Sequence, residues 1–142
     1  MKISRVVGRE MFDSRGLPTV MCEIFLEDGT FVVSSVPSGI SCGSREAFEL
    51  RDSDSRLMGQ GVLKAIHNVE HVIGPGLIGK EPDIVVADTL IRELDTSQDK
   101  KKLGANATLA VSMAVCRAQA ALHNLQLFEM IQVCYQEFQL ML

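Results

Sequence analysis

The spacing of apolar residues changes character about a quarter of the way along the chain. Between Val20 and Glu27, the residues Val20, Cys22, Ile24 and Leu26 alternate with Met21, Glu23, Phe25 and Glu27. A period of two is that of a strand with one buried face. Asp28-Gly29 follows at once and suits a type I′ hairpin turn, because glycine tolerates positive φ. Thr30 to Val36 (TFVVSSV) then returns as a β-branched strand stopped by Pro37. Lys2 to Met11 reads as a further strand, joined through the turn-rich Asp13-Ser14-Arg15-Gly16-Leu17-Pro18. The expectation is a three-stranded antiparallel meander.

Beyond Gly61 the period becomes helical. Val62, Ile66, Val69 and Ile73 recur at helix spacing with Ala65 and Val72 beside them, and Gly74-Pro75-Gly76 is expected to end that run. A second helix starts near Asp83, with Ile84, Ala87, Ile91 and Leu94 on one face. A third, from Asn106 to His123, is rich in alanine and apolar almost all round, which marks it as the central buried helix. Between sheet and helices lies Pro37 to Gly61, rich in serine and glycine; loops of that length in compact domains are usually functional or disordered. Strands followed by helices give an α+β class: a meander, then a small helical bundle.

Composition narrows the function classes. Of 142 residues, 14 are Lys or Arg and 18 are Asp or Glu, a formal charge of -4, which disfavours nucleic acid or an anionic membrane surface as partner. Hydrophobic residues make up 46%, enough for a globular core. The length suits one domain and falls short of the roughly 200 residues that a TIM barrel needs. The N-terminus has no signal-peptide apolar region. The apolar stretch Leu103 to Leu122 contains Asn106, Ser112, Arg117 and Gln119, so it reads as a buried helix and not a membrane span. Cys22, Cys42, Cys116 and Cys134 form no CxxC pair and read as reduced thiols, consistent with a cytoplasmic location.

Three short motifs carry chemistry on paper. Gly39-Ile40-Ser41-Cys42-Gly43 fits the G-x-S-x-G nucleophile elbow, but that motif needs a parallel sheet beneath it, which a chain of this size does not supply. His67-Asn68-Val69-Glu70-His71 fits H-x-x-E-H, a zinc pattern. The apolar face of its helix is already set by Val62, Ile66, Val69 and Ile73, which leaves both histidines on the polar side. Lys100-Lys101-Lys102 lies next to Asp95 and Asp99 and reads as a solvated loop.

Five longer blocks carry a resemblance. They are Arg9 to Val20 (REMFDSRGLPTV), Val36 to Gly43 (VPSGISCG), Glu46 to Asp52 (EAFELRD), Gly59 to Ala65 (GQGVLKA) and Leu103 to Ser112 (LGANATLAVS). In this order they resemble the N-terminal part of enolases, from about residue 3 to residue 128. The resemblance implies an N-terminal domain over 1–128 and a divergent tail over 129–142, with the catalytic barrel absent. It also implies the reaction, reversible dehydration of 2-phosphoglycerate to phosphoenolpyruvate in glycolysis. In that reaction Mg²⁺ stabilises the charge formed when a very weakly acidic proton leaves. By resemblance Ser41 is a lid-loop ligand of the second Mg²⁺, and Ser38, Gly39, Ile40, Cys42 and Gly43 are the hinge and body of the lid. Arg9 is a candidate for an ion pair with a partner subunit, and Arg15 either joins that interface or supports the fold locally. The implied carboxylate ligands, Lys base and acid-side Glu belong to the barrel, so the chain is expected to be inactive alone. Its expected partners are the barrel domain or a second subunit; the alternative is a non-catalytic, enolase-derived interaction module.

Several positions depart from the family pattern. Ile40 and Cys42 replace the loop's usual Ala and Thr, and Leu17 stands for the Asn before the proline. Met21 replaces an interface acid, and Thr96 replaces the glycine of a Leu-Asp-Gly-Thr turn. Beyond Ile131 the tail QVCYQEFQLML carries no resemblance.

Overall fold

The structure is a computed structural model that describes residues 1–37, 39, 43 and 46–140, with side chains through residue 136. Strands β1 (Ile3–Phe12), β2 (Pro18–Leu26) and β3 (Phe31–Ser35) form one antiparallel sheet in the order β1-β2-β3. Register pairs Val6 with Ile24 and Gly8 with Cys22, and on the other edge Cys22 with Ser34. The alternation in β2 sends Val20, Cys22, Ile24 and Leu26 into the core as expected. Its outward set is less exposed than a simple amphipathic strand predicts. Thr19 and Glu23 are also buried, because a central strand is flanked by neighbours on both sides.

The hairpin between β2 and β3 differs from expectation. Gly29 takes φ +88 while Asp28 does not enter the left-handed region, which excludes a type I′ turn. The Gly29 amide donates to the Leu26 carbonyl (3.1 Å) and the Leu26 amide to the Thr30 carbonyl (2.9 Å). Those bonds define a longer loop with glycine at its left-handed closing position, and the Asp28 carboxylate accepts from the Thr30 amide (2.9 Å).

After the loop, α1 (Leu63–His67) passes into a π-turn (Asn68–Ile73) and then α2 (Gly74–Leu77) without a break. The helical path therefore continues through Gly74-Pro75-Gly76, where the sequence predicts a stop. Two local causes account for this. The π-turn widens the helix just before Pro75, where the ring would otherwise meet the preceding turn's carbonyl. Gly74 is a packing glycine: a Cβ there would lie 2.9 Å from the Val69 carbonyl and 3.3 Å from Val6 Cβ. The segment ends instead at Gly79 (φ +81), whose amide donates to the Ile3 carbonyl (2.8 Å) and so ties the helix end to β1.

Helix α3 (Ile84–Leu94) starts where expected, with the Asp83 carboxylate accepting from the amides of Val85 (2.8 Å) and Val86 (3.1 Å). The central helix α4 (Ala105–Leu122) lies across β2 and β3 and buries Ala107, Ala110, Val111, Ala114, Val115 and Ala118. Its alanines let the helix backbone approach the sheet closely. Helix α5 (Leu127–Leu140) packs on the end of α4 through a separate small cluster of Cys116, Ala120 and Met130.

Candidate functional site

The long connection from β3 to α1 is held at both roots by hydrogen bonds. At the first root, the Val36 amide donates to the Val20 carbonyl (3.1 Å), and the buried Thr19 hydroxyl donates to the Val36 carbonyl. At the second, the Phe48 amide donates to the Asp99 carbonyl (2.6 Å), and the Ala105 amide donates to the Phe48 carbonyl (2.7 Å). The buried Asn106 side chain brackets Leu50: its Oδ1 accepts from the Leu50 amide (3.1 Å) and its Nδ2 donates to the Leu50 carbonyl (3.0 Å).

Further along, Asp52 reaches forward to the next helix. Its carboxylate, 5% exposed, accepts from the amides of Leu63 (2.9 Å) and Lys64 (2.8 Å), so it caps α1 from outside the usual cap position. Gly61 leaves room for it, since a Cβ there would lie 2.4 Å from Asp52 Oδ2. Arg51 donates through Nη1 to the carbonyls of Pro18 and Gln60, each at 2.6 Å, and its Nη2 pairs with Glu49 (2.7 Å). Arg56 grips Glu10 with both terminal nitrogens, and Glu10 also accepts from the Val62 amide (2.9 Å). Between these anchors Leu57 and Met58 take left-handed φ of 49° and 55°, and Met58 is 93% exposed. The carboxylates of Glu10, Glu49 and Asp52 are thus committed to guanidinium or backbone donors.

The Arg56 guanidinium, more than the opposing effect of burial, holds the Glu10 carboxyl below the usual carboxylate range, aided by the Val62 amide. A depressed carboxyl contributes stability above its unfolded pKa of about 4.3, and that contribution is lost as pH falls through the lower folded value. Glu10→Gln should therefore lower the urea midpoint relative to the parent at pH 6, and the gap should shrink at pH 3. An equal gap at both values would show that the charge on Glu10 is immaterial.

The residues singled out by the sequence divide into three groups. Gly39 and Gly43 are exposed, whereas Ser38, Ile40, Ser41 and Cys42 lie outside the described residues. The approach to the elbow motif does not match its usual context. The sheet before it is antiparallel, and residues 47–50 after it are irregular. Arg9 is engaged within the chain: its Nε pairs with Glu23 Oε1 at 2.8 Å on the sheet face away from the helices. Arg15 pairs with Asp13 (3.2 Å) inside the turn before β2. Met21 stands opposite Arg9 in the β1–β2 register.

His67 and His71 are exposed with ring centroids 4.7 Å apart, and Glu70 Oε1 accepts from the Gly8 amide (3.1 Å), which occupies the supposed base. Lys102 donates to the Leu94 carbonyl (2.8 Å) and Lys100 to the Asp95 carbonyl (3.2 Å), so two of the three lysines serve the end of α3. Thr96 has no positive φ, so the turn that usually carries glycine needs none here. Its neighbour Asp95 has a structural role that the sequence pattern does not reveal. It is fully buried and accepts from the amides of Ser97 (3.0 Å) and Leu103 (2.8 Å) and from the Ser97 hydroxyl.

A meander, a long anchored loop and an alanine-rich central helix occur here in one fixed order, and a family model described as the enolase N-terminal domain matches residues 3–131. The chain belongs to the enolase N-terminal domain family. It is 47% identical over 136 residues to an enolase of Solanum lycopersicum, covering 91% of this chain and 31% of the relative. With an enolase of Mycoplasmoides gallisepticum it is 48% identical over 132 residues, covering 92% of this chain and 28% of the relative. The chain thus spans about a third of the length of these enolases. The family match ends inside α5, four residues after the helix begins. Among the described residues no helix is long and apolar enough to cross a membrane, and no group of three or more His, Cys, Asp or Glu is placed to hold a metal ion.

Proposed function

We propose that this chain is the capping domain of an enolase, and that it contributes a lid loop over 38–43 to the reversible dehydration of 2-phosphoglycerate to phosphoenolpyruvate. The observation that carries the reading is the family match over nearly the whole chain. The two anchored roots of the loop support it: a lid must move between fixed ends, and Thr19 and Asn106 fix those ends. In this reading Ser41 offers its oxygens to Mg²⁺ at the mouth of a barrel.

The described residues of this chain do not by themselves fit Mg²⁺. The ion takes near-octahedral oxygen ligation with carboxylates or phosphates, and the carboxylates of Glu10, Glu49 and Asp52 are engaged by guanidinium or backbone donors. The remaining ligands, base and acid therefore come from a barrel, as a further part of the same polypeptide or as a separate subunit, in the cytoplasm where glycolysis runs. Arg9, lying on the outer sheet face, is available to a partner subunit through the side of its guanidinium not used by Glu23.

The test is a chimera in which this chain replaces the matching third of the Solanum lycopersicum enolase. The chimera should turn over 2-phosphoglycerate, and Ser41→Ala within it should lower turnover roughly 10–100-fold with folding intact. A chimera that folds but shows no activity, or in which Ser41→Ala changes nothing, would rule out the lid role. A second reading, a non-catalytic interaction module, draws on α5, where Phe128, Ile131 and Tyr135 form an exposed stripe at 69%, 54% and 60%. Sedimentation of the chain as a monomer across a wide concentration range would count against it.

A further inference from the structure

The two histidines of the H-x-x-E-H stretch have no part in the core, the loop roots or the caps. His67 ends α1 and His71 lies in the π-turn that follows, so the pair straddles the point where the helix widens. Both residues are exposed, and their rings meet with centroids 4.7 Å apart and planes inclined at 51°. That separation has a chemical meaning. Two imidazoles bound through nitrogen to one ion at roughly 2.0–2.1 Å, at an angle of about 90–110°, have centroids about 4.5–5.2 Å apart. Rotation about χ2, a broad torsion in histidine, leaves the centroids almost in place and turns a nitrogen of each ring to a common point. The surroundings suit a cation. Glu70 is fixed by the bond from the Gly8 amide to its Oε1, and its Oε2 lies 3.9 Å from His71 Nε2. That distance is too long for a hydrogen bond, so the carboxylate puts negative charge beside the pair without occupying the imidazole. Lys64, three residues before His67, donates to the Asp52 carbonyl (2.8 Å), and Asn68 donates to the Leu103 carbonyl (2.9 Å). Both neighbours are thereby engaged elsewhere.

We propose that His67 and His71 form a two-imidazole chelate for a first-row divalent transition ion, which clamps the junction between α1 and the π-turn. The ion class follows from the ligands: imidazole suits Ni²⁺, Cu²⁺ and Zn²⁺, whereas Mg²⁺ takes oxygen. The chelate is therefore distinct from any Mg²⁺ role of the lid loop and does not rest on it. It is also not a catalytic zinc centre, which takes three protein ligands; here solvent water completes the coordination. The clamp acts where the backbone leaves regular α geometry, since one ion would hold the last residue of α1 against the middle of the π-turn.

The test uses the intact chain, without a histidine tag, titrated calorimetrically with nickel, cobalt or magnesium chloride. The expected result is one Ni²⁺ per chain, weaker binding of Co²⁺ in the Irving–Williams order, and no binding of Mg²⁺. His67→Gln and His71→Gln, both at exposed positions, should each weaken Ni²⁺ binding at least roughly tenfold, because the remaining imidazole loses a tethered second ligand. His123→Gln removes the third histidine of the chain, at the end of α4, and should leave binding unchanged. Saturating Ni²⁺ should also raise the melting temperature of the parent and of His123→Gln, but not of the other two variants, because the chelate needs the folded helix. Absence of Ni²⁺ binding would overturn the site. So would binding that survives both His67→Gln and His71→Gln, which would put the ion on thiols or another surface group. Binding without a rise in melting temperature would overturn the clamp.

Discussion

Gly104→Ala is expected to lower the melting temperature by about 10 °C, a loss of roughly 3–4 kcal/mol. Gly104 precedes α4 with φ +91 and ψ 132, a conformation open in practice to glycine alone. A Cβ there would sit 2.5 Å from Leu50 Cβ and 2.7 Å from Asn106 Oδ1. Neither neighbour can yield cheaply, because Asn106 holds both the amide and the carbonyl of Leu50. The substitution therefore strikes the clasp between the second loop root and α4 as well as the local backbone. Gly16→Ala is the control: φ is +74, but nothing lies within 4 Å of the added carbon. It should cost only the backbone term, about 1 kcal/mol. Thermal unfolding of the two variants side by side separates the effects, and similar losses would mean that the clasp contributes nothing.

Asp95→Ala is the second large effect, at about 3 kcal/mol. Burial pushes the Asp95 carboxyl up, but the Ser97 hydroxyl and the amides of Leu103 and Ser97 outweigh it, and the carboxyl lies below its ordinary range. Removing the side chain leaves a buried Leu103 amide and the Ser97 donors without acceptors, which costs more than the bonds themselves are worth. Asp95→Asn keeps the shape and the acceptor toward Ser97 but turns an amide group toward the Leu103 N–H, or the reverse. It should lose less than the alanine variant. Chemical denaturation at neutral pH checks the order parent, Asn, Ala; an alanine variant as stable as the parent would contradict the role given to Asp95.

The contrast between these residues and the strands explains which features could be read from sequence. Val20, Cys22, Ile24 and Leu26 announce a strand because burial repeats with the backbone period, and Asp83 announces a helix start because its partners are two and three residues away. Asp52 and Asn106 announce nothing, because their partners lie 11 and 56 residues distant; Asp95 has a local partner in Ser97, but the bond to the Leu103 amide, 8 residues away, has no mark in the pattern. Gly74-Pro75-Gly76 misleads for a related reason. A helix-stopping composition is overridden when a π-turn accommodates the proline and close approach to Val6 requires a glycine. At the Asp28-Gly29 hairpin the pattern gives the turn but not its type, which depends on the register of Phe25 with Phe31. The loop block was legible only as a resemblance, since a Ser between glycines fits several chemistries. Arg9 illustrates the remaining gap: its engagement by Glu23 is a cross-strand diagonal that no one-dimensional spacing reveals.

In the proposed role this domain supplies only a lid, and the base, acid and principal metal ligands of the reaction are elsewhere. The direct measurement is phosphoenolpyruvate absorbance with the purified chain, Mg²⁺ and 2-phosphoglycerate, alongside the same mixture with an intact enolase. The expected trace for the chain is the blank, while the intact enzyme turns over. Turnover by the chain alone, abolished by chelating the Mg²⁺, would contradict the account.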